Sequence, residues 1–326
     1  MTFKNWCKNL KLAAIVVASF AHGASFAEQL KSAYDLIAQA AKASKELSYQ
    51  GVFTYEFRGQ LRSVKVLHLV RDGKTYERAM HMDGTGYKIS RRGDDIGCFR
   101  PGHLMLQGAD FTSVKNGLRL NELYNIYIRG NRRVAGRQAY LVEILPKDKL
   151  RYGYVVAIDK DNGLMLQSMI ISQSGKPLER FQYVDISFSP QLDSIQISEQ
   201  WHASQATEAC RVSSQLADDS LSKWQPTWLP SGFVLSSYKA NQSTGKETWV
   251  YTDGLATFSI FIDSSEMSQN FPPVQATLGT TVAVLNKVNL NNTQYAITVV
   301  GEIPTLTAQQ IVADISPRIT ALPDSQ

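Results

Sequence analysis

The sequence predicts an α+β fold of two parts, and three observations carry that reading. Apolar residues between Glu28 and Leu47 recur at three- and four-residue intervals, and from Tyr49 the period drops to two. The first spacing puts side chains on one face of a helix, the second on one face of a strand. The strand-like runs are joined by short turns rich in Gly, Asp and Asn, which suit hairpins and are too short for parallel crossovers. Between Ser204 and Ser222 large apolar residues give way to Ser, Ala, Asp and Gln, a composition suited to a connection between two cores.

Taken in order, Leu30, Ala33, Tyr34, Ile37, Ala40, Ala41 and Leu47 form the apolar face of a helix that needs a surface to cover. Tyr49, Gly51, Phe53, Tyr55 and Phe57 then share one face of a strand, with Gln50, Val52, Thr54, Glu56 and Arg58 on the other. Arg58-Gly59-Gln60 turns into a strand over Leu61–Val70, and Arg71-Asp72-Gly73-Lys74 makes a hairpin. Thr75–Met82 continues the meander to a turn at 83–86 and an extended Tyr87–Arg91. Cys98 to Asn131 is less regular, and within it Leu118–Ile128 fits a short helix or an extended segment. Strands return over Gln138–Leu145, Tyr152–Asp159, Leu164–Ser172 and Glu179–Ser187, with turns at 159–163 and 174–177. The first of these turns is no calcium loop: its glycine comes one position early, and Ile170 stands where the closing Glu belongs.

A second aromatic supply follows: Trp224, Trp228, Phe233, Tyr238, Trp249, Tyr251, Phe258 and Phe261. Trp228–Phe233 is a rigid turn into a strand. Glu247–Tyr251 and Leu255–Ile262 flank a hairpin at Thr252-Asp253-Gly254, and Thr281–Leu285 and Tyr295–Val300 extend the sheet. Leu306–Ile315 closes the chain as a helix, with Thr305 or Thr307 as its cap and Pro317 beyond its end.

The chain has 326 residues, a net charge of +5, and 44% hydrophobic against 19% charged residues. That composition suits a folded chain of two domains and excludes a disordered or collagen-like one. Lys4, Lys8 and Lys11, an apolar run from Leu12 to Phe20, and the small residues of Ser25-Phe26-Ala27 read as a signal peptide over 1–27. The run is too short to cross about 30 Å of hydrocarbon. Removing it leaves +2, too mild to imply nucleic acid. The mature chain is expected to be exported to the periplasm. Cys98 and Cys210 remain in it; an oxidising compartment permits a disulfide, and two free thiols fit the sequence as well.

The residues offer no catalytic apparatus. There is no Gly-x-Ser-x-Gly elbow, His-Glu-x-x-His pair or phosphate loop. The acidic pairs Asp94-Asp95 and Asp218-Asp219 face apart, and the cysteines and histidines show no metal-ligand spacing. A binding protein is expected, with no enzyme activity, cofactor or metal. Two surfaces qualify. Arg129, Arg132, Arg133, Arg137, Lys147, Lys149 and Arg151 crowd one hairpin, with Tyr127, Tyr140, Tyr152 and Tyr154 among them. Such a patch suits a lipid phosphate, an acidic headgroup or an acidic protein segment, or is a solvated strand face. Phe53, Tyr55, Phe57, Leu104, Leu106 and Phe111 would line an apolar cleft for lipid, or fill an ordinary core.

Six stretches carry a resemblance. They are Arg133-Val134-Ala135-Gly136-Arg137, Asp148 to Tyr154 running on to Asp159, Gly163-Leu164-Met165-Leu166, Trp224 to Phe233, Tyr251 to Leu255, and Val300 to Pro304. In these the chain resembles the RseB/MucB family of periplasmic sigma-factor regulators, in order over nearly the whole mature length. The Trp-Pro segment is the most specific, and Ala157 departs from a bulky aromatic. The resemblance implies a domain over 28–203 similar to the lipoprotein carriers LolA and LolB, an unclosed antiparallel β-barrel with helices. A linker over 204–222 and a smaller C-terminal α/β domain over 223–326, which binds the anti-sigma factor, are implied to follow. The chain is then expected to bind the periplasmic part of an RseA/MucA-type anti-sigma factor and shield it from site-1 proteolysis. Lipopolysaccharide or a related lipid is expected to release it, and a homo-oligomer is compatible with all this. The competing reading, a lipid or lipoprotein carrier of the LolA type, leaves the second domain without a use. Arg133, Arg137, Arg151, Tyr152 and Tyr154 are the candidates for partner or headgroup contact. Trp224, Trp228 and Phe233 are expected to pack the second domain or the domain interface. Charge reversal at Arg151 is expected to weaken an acidic partner.

Overall fold

The computed structural model describes residues 32–57, 59–83, 88–92, 120–188, 219–220, 222–241, 243–264 and 272–318. The signal peptide, Leu104, Leu106, Phe111, Cys98, Cys210 and nearly all of the 204–222 connection lie outside them.

Helix α1 (Ala33–Glu46) buries Leu36, Ile37, Ala40, Ala41 and Ala43; Ile37, Ala40 and Ala41 are on the expected face, whereas Leu36 and Ala43 are buried beside it and Tyr34 is exposed. It lies over the core of a nine-stranded sheet. That sheet contains β1 (Tyr49–Phe57), β2 (Gln60–Arg71), β3 (Lys74–His81), β4 (Lys88–Arg92) and β5 (Tyr124–Val134). It is completed by β6 (Arg137–Pro146), β7 (Gly153–Asp159), β8 (Met165–Ile171) and β9 (Pro177–Ser187). The order is β4-β3-β2-β1-β9-β8-β7-β6-β5. The last strand thus returns beside the first, and the two hairpin meanders share β1 and β9 as their centre. Every pairing is antiparallel. Among the described residues β4 and β5 do not pair with each other, so the sheet is open. Register shifts at Val52/Phe53, Ile128/Gly130, Ala157/Ile158 and Ile170/Ile171 bend it, as bulges do. The one-turn helix α2 (Leu120–Leu123) precedes β5. Of the ambiguous 118–128 stretch, residues 120–128 are a helical turn followed by a strand.

The second half forms a six-stranded antiparallel sheet of order β11-β12-β13-β16-β15-β14. Its strands are β11 (Val234–Asn241), β12 (Lys246–Thr252), β13 (Thr257–Asp263), β14 (Val274–Leu278), β15 (Thr281–Leu290) and β16 (Thr293–Gly301). Helix α3 (Thr305–Ala313) packs on it through β15 and β16. Beside it β10 (Trp224–Pro226) pairs with β17 (Ile315–Pro317). Trp249, Phe258, Ile260, Ile297, Val299 and Ile311 fill its core with at most 1% exposure. Two expectations need correction here. Strand β14 is absent from the expected strands although Val274, Ala276 and Leu278 alternate with Gln275 and Thr277, and all five of its residues are exposed. The cap of α3 is Pro304 with no side-chain hydrogen bond, so neither Thr305 nor Thr307 caps it.

Candidate functional site

The segment between β6 and β7 carries a dense polar arrangement. Asp148 Oδ1 accepts a hydrogen bond from the Leu150 backbone N–H at 2.9 Å, a local turn that aims the next side chain. Arg151 then donates from Nε and Nη2 to the two Asp148 oxygens at 3.2 and 3.0 Å. From Nη1 it donates to Asp253 Oδ2 at 2.5 Å, and from Nη2 to the Ser231 carbonyl at 2.6 Å. Its guanidinium also lies 5.1 Å from the Phe233 ring and 5.7 Å from that of Tyr124. The Arg151 and Asp253 side chains are both 0% exposed.

The sequence builds the acceptor as locally as it builds the donor. Asp253 sits in the β12–β13 turn, where Oδ1 accepts the Leu255 and Ala256 N–H groups at 2.9 and 2.8 Å. That leaves Oδ2 to accept from Arg151 and from the Tyr124 hydroxyl, the latter at 2.8 Å. Burying both charges carries a desolvation penalty of several kcal/mol per ion, roughly, and is tolerated where remaining lone pairs and protons are satisfied. Every Asp253 contact is made, and so are four Arg151 donations. Burial pulls the Arg151 pKa down, but the Asp253 and Asp148 carboxylates more than reverse this and hold it above its usual value. Burial first, then Asp253, pushes the Tyr124 hydroxyl well up, so it stays a donor.

Further contacts tie the two sheets together around this pair. Leu255 joins the core of the nine-stranded sheet, and its carbonyl accepts from the Tyr154 hydroxyl at 3.4 Å. Thr307, which does not cap α3, instead donates to the Leu150 carbonyl at 3.1 Å. Gly232 has φ +85° and packs so tightly that a Cβ there would lie 2.5 Å from the Leu123 side chain. A second polar contact centres on Glu179, 2% exposed. Its Oε1 accepts from the Thr280 N–H and hydroxyl at 2.6 and 2.7 Å, and its Oε2 from the Tyr55 hydroxyl at 2.6 Å.

The basic hairpin β5–β6 divides differently from its sequence pattern. Arg129 is 2.5 Å from Glu143 and lies over Tyr127. Arg137 pairs with Asp159 and, at 2.9 Å, with Asp161, and lies over Phe188. Lys160 lies over Tyr140. Arg132 and Arg133 are exposed and make no ion pair among the described residues.

The structure therefore sorts the expected contact residues. Arg133 is on the surface, Arg137 is held by two aspartates, and Tyr152 is half-buried. Arg151 and Tyr154, at 0% and 8% exposure, face the second sheet. Arg151 is fully buried, and the four donations it makes go to groups of this chain. Of the apolar set, Phe53 is a core residue packed edge-on against Phe181 at 4.9 Å, and Tyr55 bonds Glu179. The side chain of Phe57 lies outside the description, with Leu104, Leu106 and Phe111. Trp224 packs the second core and Phe233 does so while facing Arg151. Sequence reasoning missed Tyr124, Glu179, Asp253 and Thr280 as junction residues. In the sequence Asp253 stands out as a turn residue and as part of the Tyr251–Leu255 stretch, neither of which points to a junction.

Comparison with known proteins agrees along the whole described length. Residues 32–201 match the MucB/RseB N-terminal domain and 218–316 the MucB/RseB C-terminal domain. The sigma factor AlgU regulatory protein MucB of Pseudomonas aeruginosa is 31% identical over 307 residues, 90% of this chain and 94% of that protein. The sigma-E factor regulatory protein RseB of Haemophilus influenzae is 27% identical over 316 residues, covering 94% and 98%. Among solved structures, MucB in complex with MucA(peri) superposes with a TM-score of 0.68 at 29% identity, covering 89% of this chain and 100% of that one. A crystal structure of MucB gives 0.61 at 30% identity, covering 88% and 98%. Two domain matches in the same order, a relative above 30% identity and a shared fold lead to one conclusion: the chain belongs to the MucB/RseB family.

Proposed function

We propose that this chain is a regulatory binding protein of a sigma-factor system that grips the periplasmic part of a membrane-bound anti-sigma factor. The observation that carries the reading is the match of both halves to MucB, whose solved complex with MucA(peri) shares this fold. The finer steps belong to the same proposal. The chain acts in the periplasm after loss of residues 1–27, as a linked pair of domains with boundaries near 28–203 and 223–326. It shields the anti-sigma segment from site-1 proteolysis, and lipopolysaccharide or a related lipid releases it. Arg133 is the contact residue best supported, since it is exposed and free of an ion pair among the described residues. Arg137 becomes available only by leaving Asp159 and Asp161.

The test mixes the mature chain with the periplasmic segment of the cognate anti-sigma factor, measures binding by calorimetry, and follows digestion of the segment by the site-1 protease. Binding that slows cleavage is expected, with lipopolysaccharide restoring it. A folded chain that leaves the segment unbound overturns the reading. A chain that ignores the segment yet extracts lipoprotein from membranes supports the carrier reading instead, and protection that lipopolysaccharide leaves intact removes the lipid from the account.

A further inference from the structure

Three of the stretches that carry the family resemblance converge on one guanidinium. Asp148 to Tyr154 supplies Arg151, Tyr251 to Leu255 supplies Asp253, and Trp224 to Phe233 supplies the Ser231 carbonyl and the Phe233 ring. Arg151 and Asp253 are 102 positions apart, and Tyr124 and Asp253 are 129 apart. No exposed surface is built by this convergence, because both charged side chains are fully buried. What it builds is a directional joint. A guanidinium whose donors point at Asp148 on one side and at Asp253 and the Ser231 carbonyl on the other is satisfied in one relative orientation of the two sheets. Any slide of a few ångströms leaves buried charge unpaired, whereas an apolar contact would tolerate it.

We propose that Arg151 and Asp253 form an interdomain lock that sets the affinity for the anti-sigma partner without touching it. The pair holds the two sheets at the angle that the partner reads. This inference rests on the binding reading above. Arg151 is in this account a positioning residue, and so is Tyr124, whose hydroxyl fixes Asp253 Oδ2 from the side of the nine-stranded sheet.

The test uses the full mature chain and the variant Asp253→Asn. An asparagine Oδ1 still accepts the Leu255 and Ala256 N–H groups, so the β12–β13 turn is kept. Its NH₂ then confronts the Arg151 Nη1 donor, which has no lone pair to offer, while the Tyr124 hydroxyl can turn and accept, so the tie to Arg151 is lost and the lock opens. Tyr124→Phe is the milder second variant, removing one donor and no charge. Small-angle scattering of the free proteins reads the orientation, near-ultraviolet circular dichroism reads the cores, and calorimetry with the anti-sigma segment reads affinity. For Asp253→Asn the expected result is native-like dichroism, a wider distribution of interdomain distances, and affinity reduced about tenfold, within the range of ordinary coupling between sites. Tyr124→Phe is expected to move both readouts in the same direction by less. Scattering identical to the unmodified chain overturns the lock, and so does a loosened joint with undiminished affinity. If the unmodified chain fails to bind the segment, the functional reading falls while the scattering arm still decides whether the lock exists. If Asp253→Asn loses its core dichroism, the Tyr124→Phe result decides.

Discussion

Replacing Arg151 with Met tests whether the junction is held by satisfied charge or by shape. Methionine keeps most of the length and apolar volume of the side chain and removes four donations, to Asp148, Asp253 and the Ser231 carbonyl. Asp148 has a side chain 33% exposed and rehydrates at little cost. Asp253 does not, being fully buried. Breaking a buried pair by removing one partner costs about 3–5 kcal/mol. The lower end applies, since Asp253 keeps the Leu255 and Ala256 N–H groups and the Tyr124 hydroxyl as donors. The expected loss is thus ~3 kcal/mol in urea unfolding followed by circular dichroism. The double variant Arg151→Met with Asp253→Asn removes the orphaned charge and is expected to recover to within about 1 kcal/mol of the unmodified protein, as isosteric replacement of a buried pair is often near neutral. A single variant losing under about 1 kcal/mol, the scale of a surface ion pair, refutes the burial argument. A double variant no better than the single one refutes the orphaned-charge argument.

Arg133→Glu stays on the surface, so stability is expected to move by no more than about 0.5 kcal/mol while affinity for an acidic anti-sigma segment falls and loses part of its salt dependence; an affinity and salt dependence matching those of the unmodified chain would place the contact elsewhere. Gly232→Ala forces a Cβ onto φ +85° and against Leu123, and a loss of about 1–2 kcal/mol is expected in the same unfolding assay, against none if the turn can relax. Alkali is expected to destabilise the fold. Burial first, and then nearby Asp219, pushes the Tyr251 hydroxyl up to about 12, and burial with a hydrogen bond to Glu247 does the same for Tyr238, while an unfolded tyrosine ionises near ~10. The unfolded chain therefore releases these protons first. Their stabilisation is whole below pH ~10 and is lost as pH rises through about 12. Urea midpoints that hold constant across that window would contradict it.

The hairpins were legible because each is written locally. Alternating β1 places Tyr49, Gly51 and Phe53 inside, and Asp72-Gly73 turns with both residues at positive φ, as a tight hairpin requires. The Asn291-Asn292 turn obeys the same rule, with φ of 50° and 63°, but it lacks a glycine and went unread. Strand β14 lies at a sheet edge with all five residues exposed, so its five-residue alternation of Val274, Ala276 and Leu278 with Gln275 and Thr277 is too short to stand out and marks no buried face. The junction was illegible for a different reason. Arg151 lies in a run of basic and aromatic residues, and sequence charge carries no sign of whether a guanidinium points to water or to a carboxylate 102 positions later. The basic pattern thus combined three populations: a buried tie in Arg151, surface pairs in Arg129 and Arg137, and an exposed pair in Arg132 and Arg133.

That sorting changes what a charge reversal at Arg151 would mean. Read from sequence, Arg151→Glu removes a surface contact and weakens an acidic partner. In the structure it places a carboxylate between Asp148 and Asp253 and beside the Ser231 carbonyl, four acceptor groups with the Tyr124 hydroxyl as the one shared side-chain donor at Asp253 Oδ2. Carboxylates this close cannot all stay ionised at no cost, so the junction either takes up a proton or loosens before the partner is ever met. A drop in affinity for that variant would therefore agree with both accounts and decide nothing. The variants that decide are those whose effects the two accounts order differently. A direct contact at Arg151 predicts that Arg151→Met weakens binding while Asp253→Asn alone, which leaves the guanidinium in place, does not. A joint predicts that either single variant weakens binding, because each releases the directional hold on the sheets, and that the double variant recovers stability without recovering affinity.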